Sequence, residues 1–210
     1  VLLGGGNLIR KVCLWLKKKG IPLIILTSSR QVKDKIDDLS FKDFCEQNFI
    51  NYKVVDKLEV KKLTSLNLNP KESLFVSIGA PWIFRNSILN YFCGNLFNLH
   101  GTRLPQNRGG GGFSWQIIMG NRYGMCCFHK VDKKIDTGPI LFYEEFIYAN
   151  SSRIPQDFID EYNERNLKFI KGILNKHFKI SKNINIFNQV EYLSTYWPRL
   201  NTDENGWIDW

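Results

Sequence analysis

The chain has 210 residues, of which 43% are hydrophobic and 23% are charged, and this balance excludes a disordered or fibrous protein. No apolar run approaches the length needed to cross a bilayer, so we expect a soluble protein without a membrane partner. The net charge of +9 favours an anionic ligand such as a nucleotide or RNA, although scattered lysines on a solvated surface are the commoner explanation.

The first thirty residues predict a βαβ unit. An apolar strand at residues 1–3 runs into a turn of three glycines that begins at Gly4, and apolar residues then recur at helical spacing as far as Lys19. A second strand is expected at residues 21–27. Ile9 stands where a dinucleotide-binding turn would have its third glycine. A tight turn that packs the helix on the sheet is therefore favoured over a phosphate contact.

The next seventy residues continue the alternation that is typical of a parallel sheet. Further strands are predicted at 52–55, 73–78 and 96–100, with a helix at 82–92. We therefore expect the α/β fold class, with a Rossmann-like open, mostly parallel sheet flanked by helices.

The last third of the chain predicts two strands, a long helix and a tail. Strands at 123–131 and 140–148 flank a turn-prone segment at 132–139. An amphipathic helix is expected at 155–177, and beyond Ser181 the pattern shortens into a β-rich tail with several aromatic residues.

Five cysteines are scattered along the chain without a paired C-x-x-C spacing. They are Cys13, Cys45, Cys93, Cys126 and Cys127. We expect free thiols in a reducing cytoplasm rather than a disulfide framework, and we expect no secretory signal before the first strand. His129 lies close to Cys127 along the chain, but a buried strand explains this grouping better than a metal site, so no metal is expected.

Polar residues cluster where the strand at 96–100 ends. Side chains alternate along a strand, so Asn98 and His100 face one side while Leu99 faces the other. The carboxyl end of a parallel strand is where open α/β sheets bind ligands. Asp136 lies in a later loop, and a fold that brings it beside His100 would assemble an amide, an imidazole and a carboxylate around one reacting centre.

These segments resemble the signature of the folate-dependent formyltransferase family. This family includes methionyl-tRNA and glycinamide ribonucleotide formyltransferases and the sugar N-formyltransferases, and the resemblance to the last of these is greatest. The matching elements are Asn98-x-His100, Leu104-Pro105, Arg108-Gly109, Trp115 in the next helix and Asp136-Thr137-Gly138. Members often have Arg-Gly-Ala-Pro where this chain continues from Arg108 with four glycines, a departure that is expected to loosen the substrate side of the cleft.

The resemblance implies transfer of a formyl group from 10-formyltetrahydrofolate, as co-substrate, to a primary amine. Attack of an amine on a formyl carbon creates an oxyanion and a nitrogen that must lose a proton. Asn98 is expected to donate an N–H to the oxyanion, and His100 to stabilise it and relay a proton, since an imidazole titrates near neutral pH. Asp136 either orients this imidazole or accepts the amine proton through water. These three residues are the predicted catalytic set.

The resemblance also implies binding residues and a division of the chain. A catalytic domain is expected at residues 1–180, with a C-terminal extension at 181–210 that packs on it or extends it. The predicted contacts to the folate are Pro81, Trp82, Ile83, Asp132, Ile135 and Asp136. The predicted contacts to the acceptor are Thr102, Arg103, Arg108, Gly109, Tyr196 and Trp197. Core packing is an equally good interpretation of Trp82 and Ile83.

The tail favours a nucleotide-linked amino sugar as the acceptor. It resembles the segment with which tRNA and sugar formyltransferases leave their catalytic domain, and its aromatic residues beside Arg199 suit a base and a pyrophosphate. Those aromatic residues are Tyr196, Trp197, Trp207 and Trp210. An equally good interpretation is that they anchor the tail on the domain. The tRNA enzymes continue into a further domain that grips tRNA, so tRNA is the less expected partner.

Three other functions stay open at the level of sequence. They are a methionyl-tRNA formyltransferase-like activity, a non-catalytic folate-binding module and, from the glycine turn, a nucleotide-dependent oxidoreductase. A homodimer is compatible with the sequence, which does not define the oligomeric state.

Overall fold

The computed structural model describes residues 1–176 and 185–200, and these contain eleven strands and six α-helices. The strands are β1 (Leu2–Gly4), β2 (Ile25–Thr27), β3 (Lys35–Ile36), β4 (Leu39–Ser40), β5 (Tyr52–Val54), β6 (Phe75–Ile78), β7 (Leu96–His100), β8 (Arg108–Gly109), β9 (Tyr123–Lys130), β10 (Ile140–Ile147) and β11 (Tyr196–Trp197). The helices are α1 (Asn7–Lys18), α2 (Phe41–Gln47), α3 (Val60–Thr64), α4 (Asn86–Tyr91), α5 (Gly112–Ile118) and α6 (Pro155–Lys176). Among these described helices, none combines the length and apolar character that a membrane span requires.

Seven strands form one sheet in the order β10-β9-β7-β6-β1-β2-β5. The five strands from β7 to β5 are parallel, whereas β9 runs antiparallel to β7 and β10 runs antiparallel to β9. The α/β fold class with a mostly parallel sheet is therefore confirmed. The antiparallel pair at one edge follows from the short loop that joins β9 to β10, since a parallel connection would need a crossover of a dozen or more residues.

Helices cover both faces of the sheet, and the alternation of side chains along each strand feeds two separate cores. In β1, Leu2 packs in the core beneath α1, α2 and α6, whereas Leu3 packs in the core beneath α3 and α4. In β7, Phe97 and Leu99 join the first of these cores. Asn98 and His100 therefore project from the opposite face of the strand, as the sequence predicts.

Two predicted elements, a strand and a helix, begin about one helical turn's length of sequence later than expected, at Ile25 and at Asn86. The strand predicted at 21–27 is confined to β2, because Pro22 has no N–H to donate to a sheet ladder. The helix predicted at 82–92 begins at Asn86, because the preceding residues are extended: they place Phe84 in the core while Trp82 donates its indole N–H to Asp56 O at 3.2 Å. The segment before Asn86 therefore forms a loop at the carboxyl end of β6, in the middle of the sheet, instead of a helical turn.

The described part of the tail, residues 185–200, packs against the loop that follows β7. β11 pairs in parallel with β8, and Phe187 forms a mutual backbone bridge with Ile140. Trp197 stacks on Trp115 with ring centroids 6.5 Å apart. The predicted domain boundary at residue 180 and the aromatic residues Trp207 and Trp210 lie outside the described residues.

Candidate active site

The carboxyl ends of β6 and β7 open into a cavity of about 790 Å³. Its walls come from the glycine turn after β1, the loop after β6, the loop between β9 and β10, and one side of α6. Gly4 makes the first turn possible: its φ is +130°, and an added Cβ would lie 2.0 Å from Ile78 O. The cavity thus lies where open α/β sheets bind ligands.

Four polar side chains meet on one wall of this cavity. Asn98 and His100 come from β7, His129 comes from β9, and Asp136 comes from the following loop. One carboxylate oxygen of Asp136 is 3.7 Å from His100 Nδ1, and the other is 3.7 Å from His129 Nε2. The structure therefore brings the three predicted catalytic residues together and adds a second histidine.

His129 enters the cluster because of the way β9 pairs with β7. In this antiparallel register His129 lies directly across from Asn98, and the Asn98 amide nitrogen is 3.2 Å from His129 Nε2. The sequence does indicate a buried strand at this position, and the side chain is 1% exposed. Its place beside Asn98 was missed, because the pairing of two strands thirty residues apart leaves no local signal.

Asp136 is held by its loop in an unusual backbone conformation. Its φ is +54°, in the left-handed region, and its carboxylate accepts the Gly109 N–H at 3.0 Å. Two residues later Gly138 packs so closely that an added Cβ would lie 1.8 Å from Lys130 O. Two residues of the Asp-Thr-Gly triplet thus have a clear local role. The aspartate holds its carboxylate in a fixed direction, and the glycine lets the loop pack closely against the end of β9.

Hydrogen bonds define which nitrogen of His100 carries its proton. The Thr102 hydroxyl is 2.7 Å from both Asn107 O and His100 Nε2. A carbonyl oxygen can only accept, so the hydroxyl donates to Asn107 and its oxygen accepts from the His100 Nε2–H. The other ring nitrogen, Nδ1, therefore directs its lone pair toward Asp136. At 3.7 Å this gap is longer than a hydrogen bond, which leaves the imidazole able to take up a proton there.

The same reasoning identifies the protonated nitrogen of His129 and, through it, the orientation of the Asn98 amide. His129 Nδ1 is 2.9 Å from Lys130 O, so it is the protonated nitrogen, and Nε2 accepts an N–H from Asn98. Burial first, and then the nearby His100, lower the pKa of His129 well below its usual value. A neutral His129 thus turns the NH₂ group of Asn98 toward the cavity wall. The second N–H of that group stays available for an oxygen bound in the cavity.

The buried His129 predicts a pH-dependent stability. Because its folded-state pKa lies below that of the unfolded chain, the unfolded state takes up the extra proton first as the pH falls, and stability is lost on the acid side of about pH 6.5. Because of this group, we expect the free energy of unfolding of the wild type to fall by about 2 kcal/mol between about pH 7 and about pH 5. In His129→Gln the fall in melting temperature over this interval should be smaller, which thermal unfolding followed by circular dichroism can measure. Equal falls in both proteins would contradict this assignment.

His100, His129 and Asp136 also have the spacing of a metal-ligand set, with potential donor atoms within 4.8 Å of one another. The lone pair of His129 Nε2 is already used by the amide of Asn98. The hydrogen bonds to Thr102 and Lys130 likewise explain how the two rings are oriented. The arrangement is thus accounted for by hydrogen bonding and a charge partner, without a metal ion.

Most of the predicted folate contacts line the cavity. Trp82, Ile83, Asp132 and Ile135 join Asp136 on its walls, whereas Pro81 is exposed and is not among the lining residues. Ile83 is 71% exposed and Ile135 is 41% exposed. Apolar side chains that are exposed at the mouth of a cavity suit the flat face of a ring system.

The predicted acceptor contacts divide into two groups. Thr102 and Gly109 line the cavity. Arg103 instead pairs with Glu145 at 3.0 Å on the surface, and Arg108 is 5% exposed and pairs with Glu191 of the tail at 2.9 Å. Both guanidiniums thus pair with a carboxylate outside the lining of the cavity, and their contact with an acceptor stays a prediction.

The predicted aromatic contacts of the tail also lie away from the cavity walls. Trp197 packs on Trp115, whose indole N–H donates to Pro198 O at 2.7 Å. Tyr196 is 56% exposed and packs beside Gly109. Neither Tyr196 nor Trp197 is among the lining residues. Their contacts with the domain suit the alternative that the sequence left open, and their contact with an acceptor stays a prediction.

Several lining residues were not predicted from the sequence. Tyr162 and Asn163 of α6, Phe113 of α5, and Lys35 of β3 all face the cavity. Tyr162 approaches Gly101 so closely that an added Cβ would lie 2.5 Å from its ring. The helical pattern did place Tyr162 on the apolar face of α6, and burial raises the pKa of its hydroxyl. Lys35 lies in a hairpin of two-residue strands, which is too short to show a periodic pattern.

Known proteins that resemble this chain in sequence include methionyl-tRNA formyltransferases. No protein-family model matches the chain. The methionyl-tRNA formyltransferase of Mycoplasma genitalium is 29% identical over 118 residues, which are 56% of this chain and 37% of that protein. The methionyl-tRNA formyltransferase of Thermodesulfovibrio yellowstonii is 34% identical over 93 residues, which are 44% of this chain and 29% of that protein. The chain thus spans about a third of the length of these curated relatives.

Solved structures share the fold over nearly the whole chain. An N-formyltransferase from Helicobacter canadensis, in complex with folinic acid and dTDP-3-aminofucose, has a TM-score of 0.76 at 18% identity and covers 94% of this chain and 70% of its own. Phosphoribosylglycinamide formyltransferase from Bacillus halodurans has a TM-score of 0.68 at 15% identity and covers 87% of this chain and 96% of its own. The chain is therefore similar in sequence to methionyl-tRNA formyltransferases over part of their length, and it shares the fold of formyltransferases over nearly its whole length.

Proposed function

We propose that the chain is an N-formyltransferase that moves a formyl group from 10-formyltetrahydrofolate to the primary amine of an acceptor. The observation that carries this proposal is the convergence of Asn98, His100 and Asp136 on one wall of the cavity. These groups supply an N–H donor, a proton acceptor and a negative charge within reach of one reacting carbon, and formyl transfer needs all three.

In the proposed reaction the amine nitrogen forms a bond to the formyl carbon, and the carbonyl oxygen becomes an oxyanion. The free N–H of Asn98 stabilises this oxyanion, a contribution of about 3 kcal/mol for a preorganised donor. His100 Nδ1 takes the proton that the amine loses, and the carboxylate of Asp136 stabilises the imidazolium that results. The bond between the formyl carbon and N10 then breaks, and the same proton is delivered to N10 of the departing tetrahydrofolate.

The shape and lining of the cavity support a folate as the donor. About 790 Å³ is enough for a bicyclic ring and part of an attached benzoyl group. Trp82, Ile83 and Ile135 supply apolar surface for the ring, and Lys35, Lys133 and Lys134 supply positive charge for an anionic group near the mouth. Folinic acid and 5-N-formyl-tetrahydrofolate are named with two structures of the same fold, the Helicobacter canadensis enzyme and the sugar 3N-formyltransferase WlaRD.

For the acceptor we propose a nucleotide-linked amino sugar. Structures that share the fold are named with dTDP-3-aminofucose and with a UDP-linked formamido sugar. The lysines at the mouth of the cavity would also suit the pyrophosphate of such a compound. Aminoacylated initiator tRNA is the second candidate, because the curated relatives are methionyl-tRNA formyltransferases and the net charge of +9 suits RNA.

A labelled formyl donor separates these acceptors. The protein is incubated with 10-[¹³C]formyltetrahydrofolate and either a panel of dTDP- and UDP-linked amino sugars or methionyl initiator tRNA, and the products are identified by mass. We expect the label on the amine of at least one sugar nucleotide. Formylated tRNA together with unmodified sugars would transfer the proposal to the second candidate.

A further inference from the structure

Gln189 connects the tail to the loop that carries Asp136. Its side-chain Nε2 donates to two backbone carbonyls, Asp136 O at 2.8 Å and Gly138 O at 2.7 Å. Its Oε1 accepts from Arg108 Nε at 3.1 Å. Carbonyls only accept and a guanidinium only donates, so these three partners permit one orientation of the amide. The three hydrogen bonds therefore fix how the Gln189 amide is oriented against the loop.

One of the residues that Gln189 contacts has an energetically unfavourable backbone conformation. Asp136 has a φ of +54°, a conformation that non-glycine residues rarely adopt, and it keeps this conformation when neighbouring groups hold it. Gln189 holds its carbonyl, while the Gly109 N–H holds its carboxylate at 3.0 Å. The direction of the carboxylate toward His100 therefore depends on two contacts, one on the main chain and one on the side chain.

Both of those contacts are tied to the tail. Arg108, which orients Gln189, is buried and pairs with Glu191 at 2.9 Å. Gly109 has a φ of +101° and pairs with β11, where an added Cβ would lie 2.3 Å from Trp197 O. The segment from Gln189 to Trp197 thus contacts the loop that carries Asp136 directly through Gln189 and indirectly through Gly109.

We propose that Gln189 is a positioning residue that acts through Asp136. It lies outside the cavity lining, and its role is to keep the carboxylate at its distance from His100 while the tail is docked. The inference rests on the proposed formyl transfer, because we expect loss of Gln189 to lower the rate of turnover and to change substrate binding little.

Two substitutions separate positioning from simple packing of the tail. Gln189→Glu keeps the shape and an acceptor for Arg108 but places one carboxylate oxygen against the two carbonyls, and Gln189→Leu removes every one of these hydrogen bonds. We expect both to lower kcat by about tenfold to a hundredfold, with KM for donor and acceptor changed less than about threefold. The control is Asn188→Asp, which makes the same amide-to-acid change at the exposed neighbouring position and should leave kcat unchanged.

A second measurement does not depend on activity. Hydrogen–deuterium exchange of the peptide covering residues 132–138 should become faster in Gln189→Glu than in the wild type, and stay unchanged in Asn188→Asp. A wild-type kcat in Gln189→Glu would overturn the proposal. So would a fall in kcat that occurs only in Gln189→Leu and is explained by unfolding of that variant. If the wild-type protein transfers no formyl group, the proposed function fails, and unchanged exchange in this peptide would overturn the positioning role as well.

Discussion

Replacement of Asp136 by asparagine is expected to lower kcat by about 10³-fold, because a carboxylate that balances a neighbouring imidazolium contributes on this scale. The change keeps the size of the side chain and an oxygen for the Gly109 N–H, but it removes the negative charge that lies 3.7 Å from both His100 and His129. The imidazolium that forms when His100 takes a proton then has no counter-charge. Single-turnover kinetics with bound donor and acceptor measure this chemical step directly.

A matched control for this substitution is available in the turn between β3 and β4. Asp38 also has a left-handed backbone, with φ +61°, and its side chain is exposed. Asp38→Asn makes the same chemical change in the same backbone conformation, and it should leave the single-turnover rate within about twofold of the wild type, as expected for an exposed charge. An equal loss of rate in both variants would show that the effect at Asp136 is not specific to its charge.

Replacement of His100 by asparagine is expected to lower kcat by about 10²- to 10⁴-fold, the range that loss of a general acid–base group produces. Asparagine has no ring nitrogen that can take up a proton and is too short to reach Thr102, so the route by which the proton leaves the amine is lost. Binding of the folate should change little, since His100 contributes one part of a large cavity wall. Isothermal titration calorimetry with tetrahydrofolate and steady-state kinetics separate these two quantities.

Two outcomes of the His100→Asn experiment bear on the alternatives. An unchanged rate would remove His100 from the mechanism and favour a different base. Tight folate binding by the wild-type protein without any turnover would instead favour the non-catalytic folate-binding module.

The three residues that we propose as catalytic were identified from the sequence in two different ways. Asn98 and His100 lie two positions apart on a strand whose apolar neighbours identify it, and a period of two fixes their common face. Asp136 was identified by resemblance, because its triplet in a turn-prone loop carries chemistry that local pattern alone does not distinguish from an ordinary turn. The α/β fold followed from the regular alternation of apolar segments over the first hundred residues.

The remaining parts of the site depend on contacts between distant segments. His129 joins the cluster through the register of β9 on β7, and Arg108 turns toward the tail through the pairing of β8 with β11. The sequence shows an arginine and a group of aromatic residues but not the direction in which they point. Charge and aromatic character therefore suggested acceptor contacts, but they did not predict that Arg108 and Trp197 contact each other's segments and the domain.

The central claim is that this cavity transfers a formyl group to an amine, and isotope transfer in a single turnover tests it most directly. Wild-type protein, 10-[¹³C]formyltetrahydrofolate and the acceptor chosen from the panel are mixed and quenched over time, and the label is followed by mass. We expect one labelled formyl group on the acceptor amine for each tetrahydrofolate released, with this transfer slowed in Asp136→Asn and His100→Asn. Label that stays on the folate, or that leaves as formate while the acceptor is unmodified, would contradict the claim.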